Sequence, residues 1–149
     1  MKSIYEKTDR ESIIQRIQQL SASSQANWGK MNVSQMLKHC QQPIKVALGE
    51  IVLPKTFLGI LVGKIIKNKL LKEPYFKKNL PTSKKFTVIE SVDFETEKAN
   101  LITVINQLAG IDKTSLINKK HPFFGKMKPA EWGILSYNHL DHHLRQFGV

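Results

Sequence analysis

The 149-residue sequence predicts an all-α protein, a helix bundle. Three observations lead there. Apolar residues recur at helical spacing in several stretches of about 12–18 residues. Helix-starting and helix-stopping residues bracket those stretches. Strand signal is nearly absent between them, so the helices must bury their apolar faces against one another.

The first helix is expected to start at Thr8. Thr8-Asp9-Arg10-Glu11 has the form of a capping box, in which each end satisfies a free backbone N–H of the other. Ile13, Ile14, Ile17 and Leu20 follow on one face, and the serine-rich stretch 21–24 stops the helix. The second helix is expected to start at Asn32, with Gln35 completing a cap and Gly49 as the stop. Val33, Met36, Leu37 and Cys40 form its apolar side. Pro43 lies inside it and has no N–H for the carbonyl of His39, so a kink or an opening is expected beside that histidine. A third helical stretch follows Pro54, from Thr56 to Leu71, with Phe57, Leu58, Ile60, Leu61, Val62, Ile65, Ile66 and Leu70 among its apolar residues. Residues 72–85, marked by Pro74 and Pro81, read as a loop, and 86–89 as a short extended piece. The next helix spans Asp93 to Leu108. Acidic residues lie near its start, Leu101, Val104, Ile105 and Leu108 form its core face, and Gly110 ends it. Residues 111–128 form a long connection. The last helix begins at Pro129, a favoured first position, and runs to Phe147 ahead of Gly148. No repeat and no domain boundary interrupts the chain, so a single domain over 1–149 is expected.

The totals exclude several function classes. Cys40 is the lone cysteine, so there is no intrachain disulfide, zinc ribbon or thioredoxin-like pair. The N-terminus lacks an apolar stretch of signal-peptide length. The most apolar run, Phe57 to Ile66, is interrupted by Lys64 and falls far short of the roughly 20 residues that span a bilayer. A soluble, cytoplasmic protein is expected. The formal charge of +11 is concentrated in residues 51–90, where lysines 55, 64, 67, 69, 72, 77, 78, 84 and 85 face only Glu73 and Glu90. Such a stripe, with Lys64, Lys67 and Lys69 as its candidate anion-binding residues, can attract an anionic partner or simply form a solvated face. Tyr75 and Phe76 are the only aromatics within it that suit single-strand binding, and no helix-turn-helix or RNA-recognition signature is visible.

The last helix carries the most specific signal. His139 and His143 are four residues apart, which on a helix is one turn, about 6 Å of rise and about 40° of rotation. Two imidazoles so placed can reach one metal ion, as in HExxH helices, although the glutamate of that motif is missing here. A third ligand must come from elsewhere. His39 is favoured because it lies mid-helix among apolar residues, and His121, before a proline in a loop, is the alternative. His142 also pairs sterically with His139, but His142 and His143 diverge by about 100° and cannot both join His139 on one ion. Gln35, Ser136, Asn138, Asp141 and Gln146 lie where they could orient these rings, or be ordinary polar helix residues. Cys40 reads as a small buried apolar residue. Trp132 is a pocket wall or core, and Trp28 packs the approach to the second helix.

The stretch Trp28-Gly-Lys-Met31-Asn-Val-Ser-Gln-Met36-Leu37-Lys-His39 resembles the W-x-x-M…M-L-x-H opening of the second helix in DinB-like proteins. The C-terminal HPFFGKMKPAEWGILSYNHLDHHLRQFG resembles their last helix, especially in an uncharacterised subfamily. Together these cover about a third of the chain. The resemblance implies a four-helix bundle of DinB/YfiT type with a few short extra helices or loops. It also implies a divalent metal held by His39, His139 and His143. The doubled His142-His143 departs from the simplest form of that pattern. Some members of the wider superfamily are thiol-dependent transferases that use bacillithiol, mycothiol or glutathione.

Three protein ligands leave a coordination position open, as in catalytic zinc sites. A thiol bound there would lose its proton, and a water would become hydroxide near neutral pH. The expected function is therefore a metal-dependent S-transferase or hydrolase, with a non-catalytic bundle that binds an anionic partner through the lysines as the alternative. Histidine ligation suits zinc or nickel, with iron, manganese or copper as further options. The expected partners are a small-molecule substrate, a low-molecular-weight thiol and, as an open option, a second copy of the chain in a homodimer. No specific nucleic-acid partner is expected.

Overall fold

The computed structural model describes residues 1–54, 57–72, 76–78 and 86–149, and only the backbone of residues 57, 58 and 60. Lys55, Thr56, Glu73, Pro74, Tyr75, Pro81, Lys84 and Lys85 lie outside the described residues, as do the side chains of Phe57, Leu58 and Ile60. So does most of the expected 72–85 loop. Five α-helices carry the fold: α1 (Lys7–Gln19), α2 (Val33–Leu48), α3 (Phe57–Lys72), α4 (Phe94–Gly110) and α5 (Pro129–Gln146). The molecule is an all-α bundle.

Cap chemistry explains where the helices begin. Asn32 accepts from the Gln35 N–H at 2.9 Å while Gln35 Oε1 accepts from the Asn32 N–H at 3.1 Å, so the α2 capping box is complete. Gly49 closes α2 in the left-handed region, with φ of 87°. Asp93 caps α4 by accepting from the Thr96 N–H at 2.8 Å. At the start of α5, Glu131 reaches back to the Lys128 N–H at 2.8 Å, ahead of Pro129. The expected Thr8 cap is corrected. The α1 N-cap is Glu6, without a side-chain bond, and Asp9 turns back to accept the Ser3 N–H at 3.0 Å. The N-terminal segment thus sets where α1 begins. Through Pro43, α2 continues unbroken.

Two further segments differ from expectation. Residues 87–89 form no strand, although Val88 is buried. The connection 111–128 holds a short 3-10 helix (Lys113–Leu116) and a minimal hairpin of β1 (Lys120–His121) and β2 (Gly125–Lys126). The turn between the strands is organised by His121, whose Nδ1 accepts from the N–H groups of Phe123 and Phe124, both at 3.1 Å.

Four helices close a ring. α2 packs on α4 most extensively, α4 on α1, α1 on α5, and α5 on α2, while α3 lies outside against α5 and β2. The core fills the ring with Ile13 and Ile17 of α1, Met36, Leu37 and Ile44 of α2, Leu101, Ile105 and Leu108 of α4, and Trp132, Leu140 and Leu144 of α5. The expected apolar faces of α1, α2 and α4 all point inward. Arg16 of α1 pairs with Asp141 of α5 at 2.6 Å, and Asp141 also holds Arg145 at 2.8 Å. The two helices that the ring sets side by side, α2 and α5, are those that carry His39 and the His139–His143 pair.

Candidate metal centre

His39 projects from the middle of α2, on the same buried side as Met36 and Cys40. His139 and His143 project from successive turns of α5. His39 and His143 are only 4% and 8% exposed, and His139 is half-buried. The three rings lie 4.7–5.1 Å apart, centroid to centroid. His39 Nε2 and His139 Nε2 are 3.2 Å apart, and one ring nitrogen from each of the three histidines lies within 4.8 Å of the other two.

Hydrogen bonds set the tautomers of two of these rings. His39 Nδ1 is 2.9 Å from the Phe86 carbonyl oxygen, which can only accept. Nδ1 therefore carries the proton, and Nε2 presents its lone pair to the cluster. For His143 the constraint runs through Gln146. The Gln146 amide N–H donates to the Trp28 carbonyl at 2.6 Å, so Oε1 faces His143 Nδ1 at 2.8 Å and accepts its proton. His143 Nε2 is then the lone-pair nitrogen as well. This close seat of Gln146 depends on Gly29, which has φ of 84°. A Cβ there would collide with the Gln146 amide nitrogen.

Burial disfavours the imidazolium form of all three rings. It lowers His39 below the ordinary histidine range even though the Phe86 carbonyl pulls the other way. His143 is brought down to about 3 by burial first and by the neighbouring His39 second. His139 is lowered well below the ordinary value by burial and by the charges that His143, His39 and His142 would carry. Near neutral pH the three are uncharged imidazoles, the form a metal ion needs.

The three ring nitrogens lie close enough together that they could hold a metal ion. Two nitrogens bound tetrahedrally to zinc at about 2.0–2.1 Å stand about 3.3 Å apart, close to the 3.2 Å gap between His39 and His139. Without a cation or proton between them, two lone pairs would face each other at that distance. Among the described residues, His39, His139 and His143 form the one group of three or more histidine, cysteine or carboxylate side chains close enough to share an ion.

The other candidates fall elsewhere. His142 points to an adjoining cavity, with its ring 5.7 Å from both Trp28 and Phe76. His121 stacks on Phe124 at 4.4 Å and holds the hairpin turn. Gln35 is engaged in the α2 cap and with the Glu90 carbonyl, not with His39. Asn138 donates to the Leu70 carbonyl at 3.0 Å, and Asp141 serves the two arginines. Ser136 and Trp132 are buried in α5, and Cys40 is fully buried with its thiol pushed up by desolvation. The two groups that orient His39 and fix Gln146 are backbone carbonyls, of Phe86 and Trp28, for which a sequence carries no direct signal.

Lys64, Lys67 and Lys69 do not share one exposed face. Lys67 is 8% exposed, and its ammonium donates to the Lys126 carbonyl at 3.0 Å and to Glu131 at 2.9 Å. It ties α3 to β2 and α5. Lys64 and Lys69 are exposed.

A family model described as "Protein of unknown function (DUF1569)" matches residues 4–148, nearly the whole chain. The chain belongs to the DUF1569 family. No curated protein and no solved structure matches it. In this DUF1569 chain the matched span includes all five helices and all three clustered histidines. No helix among the described residues is long and apolar enough to cross a membrane.

Proposed function

We propose that this DUF1569 protein is a metal-dependent enzyme, either a thiol-dependent S-transferase or a hydrolase, with His39, His139 and His143 as the ligands of one divalent ion. The observation that carries this reading is the clustering of one ring nitrogen from each of the three histidines within 4.8 Å of one another. Two tautomers are set from behind, by Phe86 and Gln146, which leaves the Nε2 lone pairs of His39 and His143 free, and His39 Nε2 stands 3.2 Å from His139 Nε2. Zinc or nickel suits such a nitrogen site, with iron or manganese as alternatives. With three protein ligands, the ion would offer Lewis-acid stabilisation to the thiolate form of a thiol or the hydroxide form of water. The protein's part is to hold the imidazoles neutral, orient them, and keep water from one side of the cluster through the α2–α5 packing. Likeness of the Trp28–His39 and C-terminal stretches to DinB-like proteins supports the same ligand set and a thiol co-substrate. A cytoplasmic setting and a small-molecule substrate accompany this reading.

The test is a comparison of metal-loaded protein, chelated protein and His139→Ala. Each is offered glutathione or cysteine with 1-chloro-2,4-dinitrobenzene and, separately, p-nitrophenyl esters. Turnover in the loaded protein alone is expected for one of the two reactions. Equal rates in all three samples would contradict a metal-dependent role in these reactions.

A further inference from the structure

Beside the histidine cluster lies a cavity of about 340 Å³, lined by Trp28, Phe76, Lys78, His142 and Arg145. Its volume is at the small end of the roughly 300–1,000 Å³ typical of ligand pockets. The cavity and the cluster share a wall. His142 is adjacent in sequence to His143, and the two rings are 5.1 Å apart. The Phe76 ring is 5.7 Å from His142 and 6.3 Å from His139. A molecule seated between Trp28 and Phe76 would therefore stand next to the cluster.

The chemistry of the lining is one-sided. Two aromatic rings flank His142, which suits a flat apolar body. The Lys78 ammonium stands 4.4 Å from the centre of the Trp28 ring. Arg145 is anchored by Asp141, which accepts from its Nε at 2.8 Å. Among the described residues no carboxylate lines the cavity, and Asp141 is already engaged by Arg16 and Arg145. A cationic ligand would be repelled here. A neutral one would gain no charge-assisted bond from Lys78, whereas an anion would.

We propose that this cavity binds the substrate of the histidine site, and that it selects a small molecule bearing one anionic group, a carboxylate or a phosphate, on a flat apolar body. The substrate role rests on the metal-dependent reading above, whereas anion selection rests on the lining alone. Among the described lysines of the basic segment 51–90, Lys78 is the one that lines this cavity, so that segment reaches the site through this side chain.

The experiment is calorimetric titration of the metal-loaded protein with benzoate, phenylphosphonate and the neutral benzamide, repeated on Lys78→Gln. Metal content and melting temperature are measured on the same samples. Lys78 is exposed, so its replacement leaves the core intact. At least one anion is expected to bind about tenfold or more tightly than benzamide, and Lys78→Gln should remove most of that preference at unchanged metal content. The benzoate and phenylphosphonate arms separate a carboxylate site from a phosphate site. Benzamide binding as well as both anions, or an anion preference that survives Lys78→Gln, would overturn the proposal. Anion selection in a protein that takes up no metal would instead sink the metal-dependent reading and leave the pocket standing.

Discussion

Gln146 joins two parts of the site with one side chain. Its Oε1 holds the His143 proton, its Nε2 holds the Trp28 carbonyl, and it is only 3% exposed. Replacing it with leucine keeps the volume but strands a buried N–H and a buried carbonyl, and frees His143 to take the other tautomer. Gln146→Leu should weaken metal binding by about 10- to 100-fold with the helices retained, as loss of a ligand's orienting partner does elsewhere. Competition with a chelator of known affinity measures this, and an unchanged affinity would show that His143 needs no such support. At this scale the sequence was legible where spacing alone decides geometry. Four residues on a helix bring His139 and His143 to one face, and about 100° sends His142 to another. The Phe86 carbonyl was not legible, because any residue can offer a carbonyl and only the fold decides which one arrives. Lys67 misled for a similar reason. A lysine count cannot show that one ammonium is buried on Glu131.

The helix ends show where local signals are sufficient and where they are not. Asn32 and Gln35 make their cap within a single turn, so four residues determine it. Thr8 has the same pattern, yet α1 already begins at Lys7, because the segment before it packs on α5 and ties back through Asp9. That packing depends on Gly133. The Ile4 N–H donates to the Gly133 carbonyl at 3.3 Å, and a Cβ at this position would run into the Tyr5 ring. Gly133→Ala therefore pits a gain in helix propensity of about 1 kcal/mol against a steric cost of about 1–3 kcal/mol. The clash outweighs the gain, because the Cβ would meet the Ser3 hydroxyl as well as the Tyr5 ring, and Ser3 is itself buried. A lowered melting temperature, with the N-terminal segment more open to protease, is the expected outcome. A raised melting temperature would mean that Tyr5 swings aside freely. The β1–β2 hairpin escaped notice because two-residue strands have no period to detect. Its organising contact is a histidine acting as an acceptor in the turn, a role more familiar from asparagine or aspartate.

For the molecule as a whole, ring closure by α1, α4, α2 and α5 was only partly legible. Amphipathic faces announced a bundle, but the order of neighbours depends on contacts far apart in sequence, and α3 gave no sign that it would lie outside. The same closure makes acid stability depend on buried histidines. His121, away from the cluster, shows this most simply. Burial lowers it from 6.5 to about 4, and its Nδ1 must stay unprotonated to accept two N–H groups. Above the unfolded value it costs nothing. As pH falls from 6.5 toward about 4 the unfolded chain takes up a proton that the folded one refuses, so stability is lost across that window. His121→Asn keeps an acceptor in the turn and removes the proton. Denaturant melts over this range should fall less steeply in the variant, by up to about 1.4 kcal/mol per pH unit. Parallel curves would show that His121 titrates normally. The proposed function stands or falls with the histidine cluster that the ring of helices assembles, and the metal in that cluster can be counted. The protein, expressed without a histidine tag and purified without chelators, is assayed for bound metals by elemental mass spectrometry beside His39→Ala and His139→Ala. About one equivalent of a single transition metal is expected in the parent protein, lost in both variants with helical content unchanged in each. A parent protein that neither carries nor takes up zinc, nickel, iron or manganese, or variants that keep the full equivalent, would rule out a metal centre at these histidines.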